Sequence, residues 1–384
     1  MYMKRICLLC IAVVVLCANG CITPFEPEGM AGYKKMLVVE GNIILGGITT
    51  VSLAYSMDLD DDGKIVYVQD ANVRVESESG SVYEAVKVVE DGVVSYQADM
   101  SNAGLDDRYR LYLVVKGKDY ESDFVPVKVA PPIDTVAYMV TGDSTEVEFY
   151  VNSRDRTNST RYYMWSYTEA WEFNPRIYSE FRYDPFSKEI FGIADYENRF
   201  NCWQNSKSTA VLIATTDFLD EDVVYRKKLN SIGRYENRIN YLYSMELTQY
   251  ALTREAYLYW ENIKKNSDDI GGIFSPQPSE MSGNIRCVSD NDEYVIGYIS
   301  ATVPSKKRIF AYSSDIGIYK YPYDCFSEII GNDYFLRDSL YHMGMDVILY
   351  EPDTGESHWA PKRCVDCTIF GTKEKPTYWP NNHQ

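Results

Sequence analysis

The chain has 384 residues, 45% of them hydrophobic and 24% charged, with 56 acidic side chains against 38 basic ones and a formal net charge of −18. That is enough chain for two domains, each with a core of its own. An acidic balance of this size excludes attraction to nucleic acid or to anionic membrane surfaces, and it suits solubility and divalent cations.

Residues 1–20 read as a lipoprotein signal peptide. Lys4 and Arg5 give a short basic start, and residues 6–16 are an apolar run. The run is too short to cross a bilayer, which takes roughly 20 residues. Ala18-Asn19-Gly20 is a small-residue cleavage box with Cys21 directly behind it. In that order Cys21 becomes the lipid-bearing first residue of the mature chain. The alternative is an ordinary cleaved signal with an incidental cysteine. Residues 21–34 contain Pro24, Glu26, Pro27 and Glu28 and read as a tether between lipid and body.

Residues 35–130 are expected to form an N-terminal β-sandwich of immunoglobulin or transthyretin-like kind. Val51, Leu53 and Tyr55 alternate with Thr50, Ser52 and Ala54, and Val73 and Val75 alternate with Arg74 and Glu76. Ser79-Gly80 and Asp91-Gly92 supply turns. Short strands at intervals of about ten residues fit such a sandwich. Ala130-Pro131-Pro132 marks its end, because proline interrupts both helix and sheet.

Residues 131–384 read as a larger β-rich domain with one prominent helix. Val147, Phe149 and Val151 share a face, as do Tyr163, Trp165 and Tyr167. Residues 174–201 are dense in aromatics without alternation. Further strands are expected at 210–215 and 238–248. The helix begins after Thr253, a capping residue, with Glu255 in its first turn. Ala256, Tyr257, Trp260 and Ile263 fall on one face, and Lys264 and Lys265 close it. Strands at 283–289, 293–302 and 307–313 follow, and one at 347–350 precedes a cysteine-containing tail.

The best metal candidate is Asp58, Asp60 and Asp62. They take the first, third and fifth places of a calcium loop, with Gly63 at the turn and Ile65 behind it. Gln69 stands where a bidentate glutamate would complete the loop, so a solvated acidic hairpin is the competing reading.

Of nine cysteines, Cys7, Cys10 and Cys17 leave with the signal and Cys21 carries lipid. Cys202, Cys287, Cys325, Cys364 and Cys367 remain, an odd number in an exported chain, so at most two disulfides form. The preferred pairing is Cys202 with Cys287, and Cys325 with Cys364 or Cys367, although spacing leaves other connectivities open. Cys364-Val365-Asp366-Cys367 lacks a second pair for zinc and is not followed by a helix suited to a redox dithiol.

The three histidines are scattered, and no metalloprotease, nucleophile-elbow or phosphate-loop motif occurs. The 34 tyrosines suit half-buried strand positions, and exposed ones bind sugars or peptides. In the insert at 174–201, Tyr178, Phe181, Tyr183 and Phe186 are the candidate interaction surface.

The chain resembles a family of Bacteroidota outer-membrane lipoproteins defined by domain of unknown function 4249. The likeness runs through Cys21 with Pro24-Phe25-Glu26-Pro27, Leu37-Val38-Val39-Glu40-Gly41, Asp70-Ala71-Asn72-Val73-Arg74-Val75 and Arg161-Tyr162-Tyr163-Met164-Trp165. It continues in Glu255-Ala256-Tyr257-Leu258-Tyr259-Trp260, Gly283-Asn284-Ile285, Ile296-Gly297-Tyr298 and the Cys364–Cys367 stretch with Trp379. The resemblance implies a cell-surface lipoprotein encoded beside TonB-dependent receptor barrels, and a non-enzymatic accessory role in nutrient uptake. It supplies no catalytic residues. The alternatives are a free-standing glycan- or peptide-binding lipoprotein and, third, a hydrolase.

Overall fold

The computed structural model describes residues 35–57, 64–143, 145–197, 199–234, 236–268, 283–317 and 325–381. Nine strands come first: β1 (Leu37–Ile44), β2 (Ile48–Tyr55), β3 (Val66–Tyr67), β4 (Ala71–Ser77), β5 (Val82–Glu90), β6 (Val93–Asp99), β7 (Arg108–Val115), β8 (Lys118–Ser122) and β9 (Val125–Val129). The middle of the chain gives β10 (Ile133–Val140), β11 (Glu146–Arg154), β12 (Tyr162–Phe173), β13 (Phe181–Asp184), β14 (Glu189–Gly192), β15 (Cys202–Lys207), β16 (Leu212–Thr215), β17 (Val223–Gly233) and β18 (Leu242–Ala251). After the helix Arg254–Asp268 come β19 (Ile285–Cys287), β20 (Val295–Ile296), β21 (Ala301–Val303), β22 (Ser305–Tyr312), β23 (Glu328–Ile330), β24 (Met345–Glu351) and β25 (Glu356–Pro361). The protein is mainly β.

The first body is not the expected two-sheet sandwich. Its pairing runs β7-β4-β5-β6-β2-β1-β21-β9, and β9 pairs back on β7, so eight strands close a barrel. Alternation buries one face in a barrel and in a sandwich alike, so the local pattern cannot distinguish them. The deciding strand is β21, which lies parallel to both β1 and β9. β19 and β20 also attach here, to β8 and β1. The body therefore does not end at residue 130. Ile285, Cys287, Val295, Ile299 and Ala301 complete a core begun by Leu37, Val39, Leu53, Val73 and Leu111.

The sandwich lies in the second body. A three-stranded sheet, β10-β11-β17, and a five-stranded one, β15-β12-β18-β22 with β16 on β12, share one core. Val147, Phe149 and Val151 come from the first sheet; Tyr163, Trp165, Tyr243, Met245 and Leu247 come from the second. The Phe149 and Tyr243 rings meet at 4.9 Å across the layers.

Two of the chain's passages between the bodies lie side by side. β9 passes into β10 through Pro131 and Pro132, and β21 passes into β22 through Pro304. The Ala130 amide donates to the Val303 carbonyl at 2.9 Å. Gln249, 0% exposed, locks the junction. Its Nε2 donates to Pro131 O at 2.8 Å and to Ser153 Oγ at 3.0 Å, and its Oε1 accepts from Trp165 Nε1 at 2.9 Å.

A third module joins the insert to the tail. The β13–β14 hairpin covers β24 of the sheet β23-β25-β24, beside the helix Tyr334–His342. Asp333 caps that helix by accepting from the Phe335 and Leu336 amides. The disulfides bear out Cys325 with Cys364 and correct the pairing of Cys202 with Cys287. Cys202 bonds Cys367, Cys325 bonds Cys364, and Cys287 is a buried free thiol. Cys287 sits in the barrel core, whereas Cys202 starts β15 at the edge of the sandwich, so fold topology separates them.

Candidate functional site

The site is a cleft of about 630 Å³ between the outer face of the barrel and the outer face of the five-stranded sheet. Strand alternation decides what faces it. β1 turns Leu37, Val39 and Ile43 into the barrel, which leaves Glu40, Asn42 and Ile44 on the cleft side, next to Ile48 and Thr50 of β2. Opposite, β12 spends Tyr163, Trp165 and Tyr167 on the sandwich core and presents Met164 and Ser166. Tyr250 of β18 adds its ring, and its hydroxyl lies 3.3 Å from Ser166 Oγ.

Two devices shape the walls. Gly41 has φ +152°, and a Cβ there would stand 2.6 Å from the Thr50 carbonyl oxygen. Glycine thus lets β1 lie close against β2 beneath the cleft. The loop at 207–211 is held by Ser208, whose Oγ accepts from the Tyr167 amide at 2.9 Å and whose own amide donates to the Tyr167 carbonyl at 2.9 Å.

Trp260 enters from the helix Arg254–Asp268. Thr253 starts that helix by accepting from the Ala256 amide at 3.2 Å. Ala256 and Tyr259 are its most buried residues, and the Tyr259 ring packs on Tyr298 at 5.3 Å. That docking face carries Trp260 to the cleft.

The decisive polar atoms are Asn42 Oδ1 and Trp260 Nε1. Asn42 and Trp260 line the cleft, and these two side-chain atoms are buried without a hydrogen-bond partner. A buried unsatisfied polar group costs about 1–3 kcal/mol. One is an acceptor and the other a donor, so a hydroxyl or amide that reached them would relieve both. Glu40 and Lys207 set opposite charges among the lining groups. The cleft offers stacking and hydrogen bonding, the usual equipment of a binding site at a domain interface.

The residues singled out in the sequence fall elsewhere. Cys21 and the calcium-loop aspartates Asp58, Asp60 and Asp62 lie outside the described residues. Among the described residues, no three His, Cys, Asp or Glu side chains converge on a metal position. No helix among them is long and apolar enough to cross a membrane.

The insert divides. Phe186 is 97% exposed and Tyr178 52%. Phe181 is half-buried, and Tyr183 is buried in the third core with Trp359, Val347 and Leu340. Burial, aided by Asp338, pushes the Tyr183 hydroxyl up to about 12. Tyr183 therefore belongs to no surface; pairing of β13 with β14 restores the alternation that the linear sequence hides.

Sequence reasoning placed Trp260 on the packing face of its helix and absorbed Asn42 into the apolar run at 36–45. The available signal was an amide and a glycine side by side in an otherwise β-branched strand.

A family model described as a domain of unknown function, DUF4249, matches residues 22–308. The chain belongs to this family. The matched span contains the barrel, the sandwich as far as the middle of β22 and every cleft residue, and it ends before β23. No curated protein matches the chain. Among solved structures, it is similar to a DUF4785 family protein from Legionella pneumophila at 10% identity and a TM-score of 0.18, over 56% of this chain and 52% of that one. It is also similar to Salmonella alpha-2-macroglobulin reacted with methylamine at 11% identity and a TM-score of 0.18, over 84% of this chain and 16% of that one. Scores this low carry no structural or functional argument.

Proposed function

We propose that this DUF4249 protein is an outer-membrane lipoprotein of a Bacteroidota cell, anchored through Cys21 with its body at the cell surface. Its role is that of a non-enzymatic accessory or binding subunit of a TonB-dependent nutrient-uptake system. It holds a polar ligand of glycan or peptide chemistry in the cleft between barrel and sandwich. The observation that carries the binding role is that Asn42 and Trp260, which line that cleft from two bodies, each hold a buried polar atom without a partner. The lipobox at residues 18–21 supports the anchor, and the family resemblance supports the barrel partner.

Three measurements test the parts separately. Oligosaccharide and peptide panels are titrated against the protein by calorimetry. Binding that weakens at least tenfold in both Trp260→Phe and Asn42→Ala supports the cleft; binding indifferent to both variants rejects it. Labelled fatty acid should enter the wild type and not Cys21→Ser. Crosslinking in cells followed by detergent extraction should recover a barrel. If none is recovered, the uptake role fails and a free-standing binding lipoprotein takes its place.

A further inference from the structure

A second cavity, of about 240 Å³, shares no lining residue with the cleft. It lies where the cysteine tail folds back on the end of β12. Trp171, Phe173, Pro175 and Phe370 give it apolar, mostly aromatic walls. The Cys325–Cys364 disulfide and Cys367 complete them. Protein interiors normally close such voids. Here the two disulfides tie the tail both to β15 and to the segment before β23, so the walls cannot slide together. The tail is also packed tightly beside the cavity: a Cβ on Gly371 would stand 2.9 Å from the Phe173 ring. The cavity is preformed, which removes an ordering cost from ligand binding.

Its charge runs against that of the molecule. The chain carries a net −18, yet the described lining holds Arg176 and Arg363 and no Asp or Glu. Among the described residues Arg363 has no ion-pair partner and is exposed. Asn174 also belongs to the lining, and its Oδ1 is buried without a hydrogen-bond partner. Aromatic walls select a ring, a guanidinium selects a carboxylate, and an unpaired amide oxygen selects an N–H.

We propose that this cavity binds an aromatic group bearing a carboxylate, with the ring among Trp171, Phe173 and Phe370 and the carboxylate on Arg363. That chemistry has two sources, a free aromatic acid and the C-terminal residue of a peptide. The second also supplies an N–H for Asn174 Oδ1.

The test uses the full chain and three probes: 3-phenylpropionate, N-acetylphenylalanine and N-acetylphenylalaninamide, followed by saturation-transfer NMR and calorimetry. Saturable binding of an acid, with at least a tenfold loss for the amide, is expected. Arg363→Gln should remove that preference, and Gln204→Trp, which fills the lining from β15, should abolish binding of all three. Both positions are exposed, and an unchanged melting temperature verifies their folding. N-acetylphenylalanine binding more tightly than 3-phenylpropionate identifies the peptide source, and the reverse identifies the free acid. No saturable binding of either acid overturns the proposal, as does equal binding of the amide or binding untouched by Gln204→Trp.

Discussion

The barrel and the sandwich are built from the same alternating strands but keep their polar groups in different places. Among the described residues, the barrel's buried polar side chains are hydroxyls: Thr49, Ser77, Ser122, Ser300 and Thr302. Its charges pair at the surface, as in Arg110 with Glu76 and Glu121. The sandwich buries Asp155, Glu169, Asp222 and Gln249. Asp222, 0% exposed, accepts from Tyr163 Oη at 2.8 Å and Thr216 Oγ1 at 2.6 Å. Glu169 accepts from Tyr243 Oη at 2.7 Å and pairs with Arg238 at 3.0 Å. A closed barrel satisfies its backbone around the ring and needs no polar core. Two facing sheets must be held at one angle, and directional hydrogen bonds do that where apolar contact alone would not.

The contrast can be broken first at Gln249. Gln249→Met keeps the volume but strands the Pro131 carbonyl, Ser153 and Trp165 Nε1. It should cost about 3–5 kcal/mol by denaturant unfolding, since each orphaned group costs about 1–3. The matched change in the barrel, Leu53→Met, should stay below about 1.5 kcal/mol. Equal losses would erase the distinction. Next come the covalent links, which hold the sandwich and tail while the barrel keeps a free thiol. Cys202→Ser with Cys367→Ser should lower stability by about 2–4 kcal/mol. Hydrogen exchange should rise in residues 325–381 and stay unchanged in β1–β9.

Acid sharpens the comparison further. Burial tends to raise the Asp155 carboxyl, but hydrogen bonds from Thr157, Thr160 and Ser159 outweigh it and hold the group well below the usual carboxylate range. A depressed folded pKa gives stability that is fully present above the unfolded value, about 3.9, and is lost as the pH falls toward the folded one. Wild type should therefore exceed Asp155→Asn in unfolding midpoint at neutral pH, and the gap should narrow below about pH 4. A gap that stays constant would sink this account. The smallest effect belongs to the barrel surface. Lys118 Nζ pairs with Asp290 at 2.9 Å and with Glu293. Lys118→Ala should lower the melting temperature slightly at low salt and not at about 1 M salt, where screening acts within about 3 Å.

The sequence was legible where information is local. Alternation in residues 50–55 and 73–76 marks β2 and β4, and Thr253 with Glu255 marks the helix. It was opaque where partners are remote. β17 went unseen because Arg226, Lys227 and Lys228 interrupt its apolar pattern. Of the sheet β23-β25-β24 only β24 was legible, through residues 347–350; its partners became visible with the fold. Cys202 could not be matched to Cys367 without knowing that β15 borders the tail. Asn42 and Trp260 lie on different bodies, and nothing within either segment announces that they face one cleft.

The strand that seals the barrel has a consequence for how the chain becomes a protein. β1 pairs through Ile43 and Ile44 with Ala301 and Thr302, so the ring stays open until nearly four-fifths of the chain is present. A body whose first strand waits for one so distant has a high contact order, and such topologies fold slowly and expose unpaired edges meanwhile. An N-terminal fragment ending at residue 130 should accordingly remain an open, aggregation-prone sheet. Added in trans, a peptide spanning residues 283–304 should restore its cooperative unfolding.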